Sequence, residues 1–150
     1  MTKNQVRVAS QGVTKISEML GGSEVSVKVT THDIDIGKAS DAFPKKKLTS
    51  CTYSRFPCSL VDYVEISVDG NSLFVARSVY ADLADVGMAS LQQGENGQFA
   101  LTLRCGDASE SYTVEIMFDK SSVKQRELTG NANGQALQKT TYFASQPLDE

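Results

Sequence analysis

Four side chains in this sequence carry chemistry that could organise a site: Cys51, Cys58, Cys105 and His32, the last being the single histidine. Cys51 and Cys58 bracket the stretch TYSRFP. Four readings of that pair are open: a disulfide, a metal site, a reactive thiol, or two free thiols. A zinc site would draw on Cys51, Cys58, Cys105 and His32, a Cys3His set with tetrahedral potential. The six residues between Cys51 and Cys58 are wider than the two to four of a zinc knuckle. A thiol nucleophile needs a base, and His32 is the sole histidine to serve.

That leaves a closed ring or two free thiols, and the ring is the preferred expectation. Seven extended residue steps reach about 23 Å. A disulfide needs its Cα atoms within ~7 Å, so the segment must reverse direction. Pro57 fixes its own φ and biases Phe56 to an extended shape, which permits a reversal. Ring closure of this size stabilises by about 2.5 kcal/mol in the chain-entropy picture. Cys105 then stays unpaired, or pairs with Cys51 or Cys58 instead. A closed ring would hold Tyr53, Arg55 and Phe56 on a constrained loop as candidate partner-binding residues. The competing reading folds Tyr53 and Phe56 back onto the core.

His32 opens the run His32-Asp33-Ile34-Asp35. A period of two puts Asp33 and Asp35 on one strand face and His32 on the other, so the run makes no compact site alone. There is no G-x-S-x-G turn, dinucleotide fingerprint, P-loop, H-E-x-x-H or EF-hand loop. Gly106-Asp107 with Glu110 reads as a turn. No catalytic residue, cofactor or metal is assigned.

The elements that position these residues follow from periodicity. Residues 10–20, SQGVTKISEML, place Val13, Ile16 and Leu20 at helical spacing, with Gly21-Gly22 as a stop. One short helix covering a sheet is expected there. Val25, Val27 and Val29 then alternate with polar residues, and the phase slips before His32, which predicts a bulge or bend near Thr30-Thr31. Residues 37–60 lose all periodicity and read as a long irregular loop. VDYVEISV places Val64, Ile66 and Val68 on one face and Tyr63, Glu65 and Ser67 on the other. Asp69-Gly70-Asn71 is a hairpin signal, with SLFVAR as the returning strand. Residues 78–87 suggest a short helical connection in which Val79, Leu83 and Val86 share a face, ended by Gly87. QFALTLR, SYTVEIMFD, SVKQREL and ALQKTTYF supply further strands, and the tail after about residue 144 frays.

The expected fold is mainly β within the α+β class. It is an antiparallel sheet or sandwich of about seven strands, with one N-terminal covering helix and one short helical connection. The 150 residues make one globular domain with enough chain to bury a core unaided. The net charge of −3 lacks the basic excess of a nucleic-acid binder, and Lys45-Lys46-Lys47 reads as a solvated loop. No stretch reaches the length of an apolar membrane span. The polar N-terminus has no signal-peptide core. It fits a cytoplasmic protein, or an exported one whose leader Met1 replaces; the disulfide favours the periplasm or secretion.

The functional expectation is a small non-enzymatic binding protein with a protein partner. One concrete version is an exported bacterial inhibitor or immunity-type protein. The alternatives are a ligand-binding or enzymatic β domain with a pocket between sheet and helix, lined by Tyr63, Tyr112 or His32, and a structural envelope component.

Overall fold

A computed structural model describes residues 5–34, 58–106, 111–130 and 136–142. The described chain forms ten strands: β1 (Gln5–Arg7), β2 (Gly12–Leu20), β3 (Ser23–Ile34), β4 (Cys58–Val68), β5 (Asn71–Ser72), β6 (Val86–Gln93), β7 (Phe99–Cys105), β8 (Tyr112–Phe118), β9 (Val123–Gly130) and β10 (Ala136–Thr141). They build two antiparallel sheets. The larger has the order β1-β6-β7-β8-β9-β10, and the smaller β2-β3-β4-β5. The chain starts in the larger sheet, crosses to build the smaller one, and returns for a five-strand meander.

Inward residues of both sheets form one core, the arrangement of a β-sandwich. Val25, Val27 and Val29 from β3 meet it together with Val64, Ile66 and Val68 from β4. Leu101, Leu103, Val114, Ile116 and Phe118 come from the opposite sheet. The two-residue period expected for these strands is the period that is buried. Full burial of each such side chain is worth roughly 1.5–3 kcal/mol.

The N-terminal helix is not there; residues 12–20 form β2. Ile16 is buried and Val13 and Met19 stand outside, so the strand alternation governs the face. The helical reading failed because Val13, Ile16, Met19 and Leu20 also fit a helical stripe. Pairing with β3 along all nine residues decides between the two periods. Gly21 and Gly22 do not end a helix. With φ of 56° and 83°, they make the two-residue turn joining β2 to β3. Asp69 and Gly70, at 52° and 83°, turn β4 into β5 as the sequence predicted. Asp69 also docks this hairpin on the neighbouring one: its N–H donates to the Glu24 carbonyl and its carboxylate accepts from the Glu24 N–H, both at 2.8 Å.

The expected helical connection reduces to one 3-10 turn, Arg77–Val79, with Ala76 and not Ser78 at its start. Val79, Leu83 and Val86 are all buried, Val79 in the 3-10 turn, Leu83 on irregular chain and Val86 as the first residue of β6. Gly87 lies inside β6. Of the strand expected over SLFVAR, only Ser72 pairs in register, next to Asn71, and the Leu73 N–H adds one bond to the Ile66 carbonyl at 2.9 Å. After that the chain leaves the sheet edge.

The crossing segment is pinned by Arg126, an inward arginine on β9. Its guanidinium makes a two-point pair with Asp82, both contacts at 2.8 Å, and donates to the Ser78 carbonyl at 2.6 Å. Asp85, also buried and at φ 53°, accepts from the Ser59 N–H at 3.0 Å and donates its own N–H to the Ser59 carbonyl at 2.7 Å. These bonds tie residues 77–85 to both sheets.

Candidate interaction site

The outer face of the smaller sheet is built from alternate residues. β2 offers Val13, Lys15, Ser17 and Met19; β3 offers Ser26, Lys28, Thr30 and His32; β4 offers Tyr63, Glu65 and Ser67. Register makes rows of them: Val13, Thr30 and Tyr63 lie in one row, and Lys15, Lys28 and Glu65 in the next. Ser17 and Ser26 hydroxyls meet at 3.0 Å.

Among the described residues, the strongly exposed large apolar side chains are Val13 (62%), Met19 (66%), Tyr63 (58%) and Phe74 (82%). All four belong to this sheet or to the chain leaving its edge. Scattered exposed apolar residues are ordinary, but their restriction to one sheet of two is not what scatter produces. On the larger sheet Met88, Met117 and Leu128 are partly exposed, and the strongly exposed residues described there are polar.

Tyr63 and Phe74 rim an open cleft of about 350 Å³ at the β4 edge. Lys28, Glu65, Ser67, Leu73 and Tyr80 complete its main walls. The Tyr63 and Tyr80 rings stand 6.4 Å apart at 53°, a tilted aromatic contact. Tyr80 is buried and Tyr63 is not, so Tyr80 holds the base of Tyr63 in place.

The bulge near Thr30-Thr31 is present, and it supplies a polar pair. Thr30 faces Tyr63 and Thr31 faces Val61, so the extra residue is Asp62 on β4. The surplus lies on the partner strand; β3 keeps its phase, with Thr31 buried and His32 outside. Asp62 Oδ1 sits 2.7 Å from His32 Nδ1, with both side chains partly exposed. His32 thus gains a carboxylate partner that its own strand could not offer.

The sequence-predicted site residues fare unevenly. Cys51, Tyr53, Arg55 and Phe56 lie outside the described residues, as do Lys45-Lys46-Lys47, and with them the proposed ring. Cys58 opens β4 opposite Ile34, three residues inside the stretch expected to be loop. Cys105 is a free, buried core residue whose thiol burial pushes up to about 12, against a lowering contact from Tyr112. His32 faces outward on the smaller sheet and Cys105 inward on the larger, so the two are not brought together. No group of three or more metal-ligating side chains forms among the described residues.

The expected pocket lining also separates. Tyr112 is partly buried against the core and bonds Ala84 through its hydroxyl, while Tyr63 and His32 face outward on the other sheet. The helix expected to wall that pocket is instead strand β2. Sequence reasoning missed Asp62, Phe74 and Tyr80. Phe74 was within reach: Leu73-Phe74-Val75 alternates like a strand, and a strand there must turn Phe74 outward.

No family model, curated protein or solved structure matches this chain.

Proposed function

We propose that this protein is a non-enzymatic binding protein and that the outer face of the smaller sheet meets a protein partner. The observation that carries the reading is the confinement of exposed Val13, Met19, Tyr63 and Phe74 to that one sheet and the chain leaving its edge. Aromatic residues that a partner can fully desolvate are the usual anchors of protein interfaces. The mixed rows of Lys15, Lys28 and Glu65 around them suit a polar rim. A second cavity, about 460 Å³ on the larger sheet, is lined mainly by polar groups such as Gln98, Glu115 and Lys124 and offers fewer anchors.

A photo-reactive residue at position 74, with the same residue at position 115 as control, tests this in the native host. A discrete adduct from position 74, absent from position 115 and lost on Tyr63→Ser, is expected. Equal labelling at both positions, or none at 74, overturns the reading.

In its exported-inhibitor form the reading also needs the Cys51–Cys58 ring, which would favour an oxidising compartment. Denatured, unreduced protein from its native source should then react at one thiol, Cys105. Three reactive thiols exclude that form and leave the interaction face untouched.

A further inference from the structure

The cleft beside Tyr63 joins an aromatic rim to a polar floor, and strand register sets the two together. Lys28 on β3 lies opposite Glu65 on β4, and Ser67 lies opposite Ser72 on β5. The Leu73 N–H extends that register by one bond to the Ile66 carbonyl. One step further along, Phe74 comes beside Glu65 on the outer face. Glu65 is also two residues from Tyr63 on that face, so both exposed aromatic side chains border it.

The floor is polar because of the strand period. Val64 and Ile66 line the cleft, but each is only 2% exposed and its side chain packs in the core. The side chains presented between the aromatics are those of Lys28, Glu65, Ser67 and Ser72. None of these four side chains makes a hydrogen bond or ion pair with any described residue. Lys28 and Glu65 stand in register, yet no ion pair joins them. The set is one acid, one base and two hydroxyls, with no net charge.

A saccharide ring matches this combination. Its faces present C–H groups, which pack on the negative face of an aromatic ring. Its edge carries hydroxyls that donate and accept, and here Glu65 accepts, Lys28 donates and the serines do either. An apolar side chain would need an apolar hole, whereas Val64 and Ile66 beneath are turned away into the core. An anion would meet Glu65 as well as Lys28. The volume of about 350 Å³ lies at the small end of the range for ligand sites, about 300–1,000 Å³, which suits one or two rings. Going beyond the protein-partner reading, with which it shares this face, we infer that the cleft holds a neutral saccharide ring. The ring stacks on Phe74 and Tyr63 and bonds its hydroxyls to Glu65, Lys28 and the two serines. Tyr63 is already steadied for this by its contact with Tyr80. The ring belongs to a glycan on the protein partner or to a free glycan, and the chemistry of capture is the same.

Saturation-transfer and amide-shift NMR on the full chain tests this, with neutral hexose and N-acetylhexosamine disaccharides as probes. At least one disaccharide should receive saturation on its ring C–H protons and shift the Glu65, Ser67 and Ser72 amides, leaving the β10 amides unmoved. Phe74→Tyr should retain the binding. Phe74→Leu, which keeps an apolar group but loses the ring, should weaken it at least tenfold, and Glu65→Gln at least threefold. All three variants should unfold at the wild-type midpoint, because the altered side chains are exposed. No saturation transfer to any of the disaccharides overturns the inference, as does a Phe74→Leu protein that binds them as the wild type does. If position 74 crosslinks a host protein while no disaccharide binds, the protein-binding face stands and the saccharide site falls. If a disaccharide binds and no adduct forms, the saccharide site stands and the protein partner falls. Where both appear, an adduct lost on deglycosylating the host protein places the ring on the partner, and an adduct that survives assigns it to a free glycan.

Discussion

Asp62 is the surplus residue of the β3–β4 ladder, and its Oδ1 reaches His32 Nδ1 at 2.7 Å on the neighbouring strand. The bulge does two things at once. It restores the inward phase of β4, so that Ser59 and Val61 on one side and Val64, Ile66 and Val68 on the other all face the core. It also turns Asp62 and Tyr63 to the same outer face, which sets the aromatic beside an acid and a histidine.

Deleting Asp62 should therefore straighten the ladder without moving the core. Ser59, Leu60, Val61, Tyr63 and Val64 would then alternate without interruption, and Val64 and Ile66 would stay inward. Cooperative unfolding is expected to persist in a denaturant titration. Asp62→Asn removes only a partly exposed ion pair and should change stability by less than about 1 kcal/mol.

Arg126 and Asp82 hold the chain that crosses between the sheets. Arg126 is almost fully buried, whereas the Asp82 side chain is 55% exposed. Asp82→Ala leaves a buried guanidinium bonded only to main-chain carbonyls and should cost about 1–3 kcal/mol. Arg126→Met, which removes the buried charge and keeps the volume, should cost no more than Asp82→Ala. Urea unfolding of both variants checks the order.

The Cys105 thiol should be inert in the native protein and reactive once unfolded. Burial keeps it protonated, raising it from 9.0 to about 12. The stability this protonation preference contributes is fully present below pH 9.0, the value of the unfolded thiol, and is lost as pH rises toward about 12. Stability measured from pH 8 upward should fall with a slope that Cys105→Ala reduces. Disulfide-exchange reagent should label position 105 only in denaturant.

Asp119 makes the opposite contribution at low pH. Partial burial opposes its charge, but the Ser121 and Ser122 N–H groups, the Ser121 hydroxyl and Lys124 outweigh that and hold its carboxyl below 3.8. Its stabilisation is present above pH 3.8 and disappears as pH falls through the lowered value. Asp119→Asn should flatten the acid limb of the stability profile without affecting the limb above pH 8.

The outer face of the smaller sheet gives a prediction that needs no partner. Tyr63→Ser and Phe74→Ser should leave the unfolding midpoint nearly unchanged, because both side chains are already largely in water.

The sequence by itself determined the antiparallel β character, the core faces of β4, β7 and β8 and the Asp69-Gly70 turn; it expected a bulge near Thr30-Thr31 from a slip in β3, and the structure puts the surplus residue on β4 instead. Each feature so determined follows from a strict two-residue period or from residues that accept positive φ, and these are local properties. It did not determine β2 or β6. Val13, Ile16 and Leu20 satisfy a helical period as well as a strand, and Val86-Gly87-Met88-Ala89 satisfies neither. Long-range partners, β3 for one and β7 for the other, settled both. Only the tertiary structure brought Asp62 to His32, Arg126 to Asp82 and Phe74 to the cleft beside Tyr63. Those meetings depend on which strands become neighbours and where the chain leaves an edge, and local spacing carries no record of either.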